Sequence, residues 1–246
     1  MNPYQKNILV ISDNPSLLRF FQNECSAQHI NDIATIKYCY SSNNKMPSEL
    51  ITLGATPINL KNENIINLKS SYHLIFSIHC KQIFPSDLVS SVSCINVHPG
   101  FNPYNRGWYP QVFSIINKKP IGATIHIMDE MIDHGAIIDQ IQGEIYSNDT
   151  SKDVYERVIE LEKVLIKNNL MKIILGDFSA IEPLTEGNYN SIEDFKTICH
   201  LNLDDTASLR DHIDLLRALS HSPFKNAFFI DEQGKKVFVR LTLEKE

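Results

Sequence analysis

Asn7-Ile8-Leu9-Val10-Ile11-Ser12, running directly into Asp13-Asn14-Pro15-Ser16 and then Leu17-Leu18-Arg19-Phe20-Phe21, is the stretch on which the fold turns. Its short, β-branched apolar run reads as a buried strand. The polar residues after it offer helix-start chemistry: a short side chain to accept a free N–H, and a proline that has none to lose. Further strands are expected at Ala34–Tyr40, Leu74–Ser77 and Cys94–Val97, separated by the amphipathic or polar stretches Glu63–Ser70 and Ser86–Ser91. Strands alternating with helices predict an α/β, Rossmann-like, mostly parallel sheet. Pro99–Gly107 (PGFNPYNRG) has the composition of a loop. It follows a strand's carboxyl end, where open α/β sheets hold ligands.

Ile121–Met128 and Ala136–Tyr146 are two more β-rich runs, flanking a turn at Asp129–Gly135. From Asp153 to Ile174 apolar residues recur at helical spacing (Val154, Val158, Leu161, Leu165), with Asp149, Thr150 and Ser151 as possible caps. This long helix is expected to close a main domain over residues 1–175. Residues 176–246 read as a linker and a small C-terminal subdomain: Gly176–Asp205 with little regular structure, a helix over Ser208–Leu219, and a hairpin of Ala227–Ile230 with Lys236–Leu243.

The chain is long enough to bury a full core. Its net charge of -6, from 29 acidic and 23 basic residues, gives no broad basic surface for a nucleic-acid backbone, so a polynucleotide partner is not expected. The opening MNPYQK has no charged n-region and leads into no long apolar segment, and no apolar run approaches the ~20 residues of a membrane span. The expected location is the cytoplasm, without a membrane partner. Five cysteines without CxxC spacing read as buried free thiols. His79, Cys80, Cys94 and His98 match no common zinc spacing, and no metal is expected.

The densest chemical signal is Ile95-Asn96-Val97-His98-Pro99-Gly100, then Gly122-Ala123-Thr124-Ile125-His126, then Asp129-Glu130-Met131-Ile132-Asp133-His134-Gly135. Asn96 and His98, two apart on a strand, project to one face and can converge on one ligand atom. A strand-end Asn-x-His-Pro followed by Asp-x-x-x-Asp-x-Gly resembles the folate-dependent formyltransferases, and the resemblance covers roughly Asn7 to Leu175. It implies that Asn96, His98 and Asp133 are catalytic. Asp129 is the competing acid; Asp133 is preferred because it stands immediately before a residue-plus-Gly turn leading into the next strand.

The implied chemistry suits those residue types. A neutral amine attacks the formyl carbon of 10-formyltetrahydrofolate, and negative charge develops on the formyl oxygen. Asn96 and an imidazolium at His98 would donate to that oxygen, each such donor contributing about 3 kcal/mol. Asp133 would hold His98 charged and take the ammonium proton directly or through water. The resemblance further implies a folate pocket formed by Gln82, Ile83 and Phe84 on one side, with backbone groups of Gln82 and Phe84 on the pterin edge, and by Met128, Asp129, Met131 and Ile132 on the other. Core packing is the plain alternative for Ile83 and Phe84.

Within the family, the turn Ser12–Ser16 lacks the glycines that cradle a ribonucleotide phosphate, which weakens glycinamide ribonucleotide as acceptor. The short C-terminal part, ending Leu243-Glu244-Lys245-Glu246, is unlike the basic barrel of the tRNA-directed members. Val97–Trp108 and Leu216–His221 look like the sugar-nucleotide branch, and specifically the dTDP-4-amino-4,6-dideoxyglucose N-formyltransferases. That resemblance implies a dTDP-linked amino sugar as acceptor, a product used in surface polysaccharide such as lipopolysaccharide O-antigen, and a homodimer through the C-terminal segment. Acceptor contacts are then expected from Arg106 to pyrophosphate, from Tyr104, Trp108 and Tyr109 by stacking, and from Lys81, Arg217, Phe224, Lys225 and Asn226. A UDP-amino sugar, glycinamide ribonucleotide, and a non-catalytic binding module are the remaining alternatives.

Overall fold

The computed structural model describes residues 5–61, 63 and 65–246. The leader reading of Met1–Tyr4 and the helical reading at Asn64 lie outside them. In chain order the first strand β1 (Lys6–Ser12) leads through Asn14 into helix α1 (Pro15–Ala27). The Asn14 side chain accepts from the Leu17 N–H and Pro15 opens the first turn, which is the capping chemistry the sequence offers there. Then follow β2 (Ala34–Ser41), α2 (Ser48–Thr52), β3 (Thr56–Ile58), α3 (Ile65–Ser71), β4 (Leu74–Ile78), α4 (Ser86–Val89) and β5 (Ser93–His98). After β5 come β6 (Arg106–Gly107), α5 (Pro110–Asn117), β7 (Ile121–Ile127), β8 (Ile137–Gly143) and α6 (Ser151–Leu175). The C-terminal part holds β9 (Tyr189–Asn190), α7 (Ile192–Cys199), α8 (Leu209–Leu219) and the hairpin β10 (Phe228–Ile230) with β11 (Lys236–Phe238).

Seven strands form one sheet in the order β3-β2-β1-β4-β5-β7-β8. The first five of that order pair in parallel, and β7 and β8 are antiparallel additions on the β5 side. The strand order reverses between β1 and β4, so the carboxyl ends of β1, β4 and β5 border the crevice where such sheets bind ligands. Side chains alternate across the sheet. Ile8, Val10, Phe76, Ile95 and Val97 enter one apolar cluster, with Val154, Val158 and Leu165 of α6 and Leu17 and Phe21 of α1. Leu9, Ile11, Ile75 and Cys94 enter the other, with Leu68, Phe84 and Leu88. Helix α6 starts at a capping box, Thr150 with Asp153, and ends where Gly176 takes φ +79.

Several expectations change. Gly176–Asp205 is not an irregular linker: it holds β9 and the capped eight-residue α7, with Ser191 and Asp194 forming the box. Arg106 and Gly107 are not loop, because they pair with Tyr189 and Asn190. Helices α2 and α5 and strand β3 were not anticipated; in α5 the start is marked by Pro110 directly after Tyr109, whose φ is +52. The runs Ala136–Tyr146 and Lys236–Leu243 are strand over Ile137–Gly143 and Lys236–Phe238. All five cysteines are free thiols, four of them buried and Cys80 partly so.

Candidate active site

Alternation along β5 separates Ile95 and Val97, which face the α6 core, from Cys94, Asn96 and His98 on the other face. Strand β7 returns antiparallel with His126 opposite Asn96 and Thr124 opposite His98. Directly opposed residues share a face, so this register brings His126 and Thr124 to the same patch. Thr124 Oγ1 donates to the Gly100 carbonyl (2.7 Å) and accepts from the Asn102 N–H (3.1 Å), tying the loop after β5 to the strand beside it.

Asp133 arrives from the turn between β7 and β8. Its backbone is left-handed, φ +51, and the next turn residue but one, Gly135, has no room for a side chain: a Cβ would stand 2.0 Å from the Ile127 carbonyl oxygen. Asn102 Nδ2 donates to the Asp133 carbonyl (2.9 Å). Asp133 Oδ1 accepts from Asn96 Nδ2 (2.9 Å), and Oδ2 accepts from the Gly107 N–H (3.1 Å) and lies 3.4 Å from His98 Nδ1. Asn96, His98 and Asp133 are thus brought together, all mostly buried. Asp129 is elsewhere, half-exposed and bound to His134 Nδ1 (2.7 Å).

The electrostatics correct one expectation. Burial pushes the His98 imidazole down to about 4, outweighing the Asp133 carboxylate that acts to raise it; His126, His79 and Arg106 add to the lowering. For Asp133 burial acts to raise the carboxyl, but His98, His126 and the Gly107 N–H hold it at about 2. The resting pair at neutral pH is therefore a neutral imidazole beside an ionised carboxylate, not an imidazolium. The Nδ1 proton belongs toward Asp133, which leaves the lone pair on His98 Nε2. That nitrogen is buried and has no hydrogen-bond partner among the described residues. A Cβ on Gly100 would stand 2.3 Å from it, so only glycine leaves its approach open.

His126 belongs to the site although no role was expected for it. Its Nδ1–H donates to the Ile127 carbonyl (2.9 Å), and its Nε2 accepts from Asn96 Nδ2 (3.2 Å). A second polar group was also missed. Glu162 of α6 is fully buried, and both its oxygens lie 2.9 Å from His79 Nε2. His79 Nδ1 is 3.4 Å from the Tyr155 hydroxyl, and the Tyr155 ring meets that of His221, which in turn meets Phe224. His79 sits just past β4 with φ +54, in the left-handed region that His enters more readily than most side chains.

The remaining expected residues fall into groups. Phe84 is core and packs in the same apolar cluster as Met128, whereas Ile83, Met131 and Ile132 are exposed. The Gln82 side chain bonds the backbone of Leu60 and Ile58. Lys81 donates its N–H to Asp13. Trp108 and Tyr109 are partly exposed, the latter ring 4.2 Å from that of Phe195, and Tyr104 is half-buried. Arg106 is buried, with Nη2 on Glu186 (2.6 Å) and Nε without a partner among the described residues. Arg217 departs most from expectation: its guanidinium is buried and taken up by Asp214 (2.6 Å) and the carbonyls of Tyr146 and Asp149. Lys225 lies over the Phe238 ring and Asn226 bonds the Leu219 carbonyl, while Phe224 is exposed.

A cleft of about 780 Å³, lined among others by Lys118, Glu144, Leu209 and Arg217, includes none of Asn96, His98 and Asp133, and the chemistry is placed by the side chains rather than by that volume. Among the described residues no group of three or more His, Cys, Asp or Glu is placed to hold a metal ion. No helix among them is long and apolar enough to cross a membrane.

Two family profiles match. Residues 5–170 match the profile described as formyl transferase, and residues 194–245 one described as the N-formyltransferase dimerization C-terminal domain. The dTDP-4-amino-4,6-dideoxyglucose formyltransferase of Mycobacterium tuberculosis is 46% identical over 184 residues, 75% of this chain and 79% of that one. Among solved structures, a sugar N-formyltransferase from a Shewanella species superposes with a TM-score of 0.95 at 50% identity, and a 4-N formyltransferase from Francisella tularensis with 0.91 at 48%; each comparison covers 98% of this chain and 99% of the other.

Proposed function

Since the chain belongs to the formyl transferase family, we propose that it moves the formyl group of 10-formyltetrahydrofolate onto the amino group of a dTDP-linked amino-dideoxy sugar, dTDP-4-amino-4,6-dideoxyglucose. The observation that carries this reading is the meeting of Asn96, His98 and Asp133 at the carboxyl end of β5, in a chain similar over most of its length to enzymes named for that acceptor. In this reading Asn96 donates to the formyl oxygen as charge builds there, an N–H otherwise spent on His126. His98 Nε2, without a hydrogen-bond partner among the described residues, takes the proton from the attacking nitrogen. The imidazolium so formed lies against the ionised Asp133, 3.4 Å away, and returns the proton to the folate nitrogen as that nitrogen's bond to the formyl carbon breaks.

The folate is assigned to the loops carrying Gln82, Ile83 and Phe84 and Met128, Asp129, Met131 and Ile132. Support comes from the exposed apolar side chains of Ile83, Met131 and Ile132 on the two segments that also supply the buried Phe84 and the partly buried Met128 of one cluster. The acceptor is assigned to Lys81, Tyr104, Arg106, Trp108, Tyr109 and Phe224; Arg217, Lys225 and Asn226 are better read as supports, given their internal partners.

The same reading makes residues 1–175 the catalytic domain and 176–246 a subdomain through which a cytoplasmic homodimer forms. The five unpaired cysteines suit a reducing compartment, and the exposed Ile230, Val237 and Phe238 suit a partner surface. The product would enter surface polysaccharide such as O-antigen. Assay of the purified protein with 10-formyltetrahydrofolate and a panel of dTDP- and UDP-linked amino sugars tests the proposal.

A further inference from the structure

The segment between α6 and α7 runs along the loop that follows β5. Gly187, φ +68, comes so close to Pro103 that a Cβ would stand 2.0 Å from its carbonyl oxygen. Asn188, next in the chain, uses every polar group it has. Its N–H donates to the Pro103 carbonyl (3.2 Å) and its carbonyl accepts from the Arg106 N–H (2.9 Å). Its Oδ1 accepts from the Asn105 N–H (3.1 Å) and from Lys119 Nζ (2.7 Å), and its Nδ2 donates to Asn105 Oδ1 (2.8 Å).

Asn105 is itself fully buried and left-handed, φ +51, and Asn117 Nδ2 and Asn190 Nδ2 also donate to its Oδ1. On the far side of Gly107 the Trp108 N–H donates to the Asn190 carbonyl (3.0 Å). Gly107 is thereby held from both sides, at φ +90, where a Cβ would stand 2.5 Å from the Asn190 carbonyl oxygen. The N–H of this clamped glycine is the one donated to Asp133 Oδ2.

We propose that Asn188 is a positioning residue for the transfer reaction: it fixes the Asn105–Gly107 backbone and, through the Gly107 N–H, holds the Asp133 carboxylate against His98. The proposal rests on the formyl-transfer reading. None of the hydrogen bonds of Asn188 among the described residues reaches Asn96, His98 or Asp133, so its influence passes through the backbone it grips. Besides His98 and His126 beside it, the carboxylate has two donors, the Asn96 amide on Oδ1 and the Gly107 N–H on Oδ2. With the second withdrawn it is free to turn about the first, and Oδ2 leaves His98 Nδ1. Small displacements of that kind cost large factors in rate.

The test is a double-mutant cycle in the full-length enzyme, with kcat and KM measured separately for the folate and the amino sugar. Asn188→Ala is expected to lower kcat about tenfold, with both KM values within about threefold of wild type. In an Asp133→Asn background the same change is expected to lower kcat by less than about twofold, because the group it positions is gone. Equal losses in the two backgrounds, an unaltered kcat in Asn188→Ala, or an effect confined to KM would each overturn the proposal. If Asn188→Ala does not fold, Gly187→Ala, which forces residues 187–188 away from Pro103, carries the same cycle with the same expected and overturning results. A wild-type enzyme without formyl transfer would instead remove the reading beneath it.

Discussion

His98 Nδ1 lies 3.4 Å from Asp133 Oδ2, both side chains nearly shut off from solvent, and the outcome of that burial is a neutral imidazole beside an ionised carboxylate. An imidazole in this state accepts a proton where an imidazolium would only donate one. The carboxylate then serves to hold the ring's Nδ1 proton and to balance the charge that appears during the reaction.

Removal of either partner tests these roles. His98→Ala and Asp133→Asn are each expected to lower kcat by at least about a hundredfold with the fold retained. Steady-state kinetics beside a circular dichroism spectrum check it. Near-normal turnover in a folded Asp133→Asn protein would move the acid to Asp129.

The lowered imidazole also has a stability signature. The unfolded chain takes a proton at His98 near 6.5, whereas the folded protein withholds it down to about 4. Above 6.5 neither state is protonated there and the contribution is fully present. As the pH falls from 6.5 toward 4 the unfolded state binds more protons, and on the order of 3 kcal/mol is lost. Asp133 adds a further loss as the pH falls from 3.8 toward about 2. Urea midpoints measured across pH should decline more steeply in wild type than in His98→Gln between pH 6.5 and 4. Parallel curves would show that folding leaves the His98 imidazole unshifted, and a shallower decline in wild type would show that folding holds it charged.

Gly100 gives a narrower test of the approach to Nε2. A Cβ there would stand 2.3 Å from His98 Nε2, so Gly100→Ala must displace the ring or block its lone pair. A fall in kcat of about tenfold to a hundredfold is expected, with little change in the thermal midpoint. Unchanged kinetics would place the proton acceptor elsewhere.

Much of this architecture was legible in the sequence, for reasons that can be stated. β1 and β5 are short, dense apolar runs with turn chemistry after them, and Asn96 and His98 share a face because strand side chains alternate. What escaped depends on contacts between distant residues. The register that sets His126 against Asn96 and the amide knot joining Asn105 to Asn188 leave no trace in local patterning, and β9 and α7 are short enough to look like linker. The neutral state of His98 departs from the expected imidazolium because the motif displays its partner Asp133 but not its burial.

The C-terminal segment carries a prediction about assembly. Phe238, Val237 and Ile230 are exposed on a two-stranded hairpin, a unit that is marginal alone in water. Light scattering at micromolar concentration is expected to report a dimer, and truncation before Ser222 to give monomers or insoluble protein. A monomeric full-length chain, or a soluble truncated dimer, would contradict that placement.

The central claim is formyl transfer to a dTDP-linked amino sugar, and the most direct measurement is kcat/KM with 10-formyltetrahydrofolate for dTDP-4-amino-4,6-dideoxyglucose beside a UDP-linked amino sugar and glycinamide ribonucleotide. The account predicts N-formylated dTDP-sugar as the product, with kcat/KM for that acceptor at least about tenfold above the others. Failure to formylate any dTDP-amino sugar, or a preference for glycinamide ribonucleotide, would contradict it.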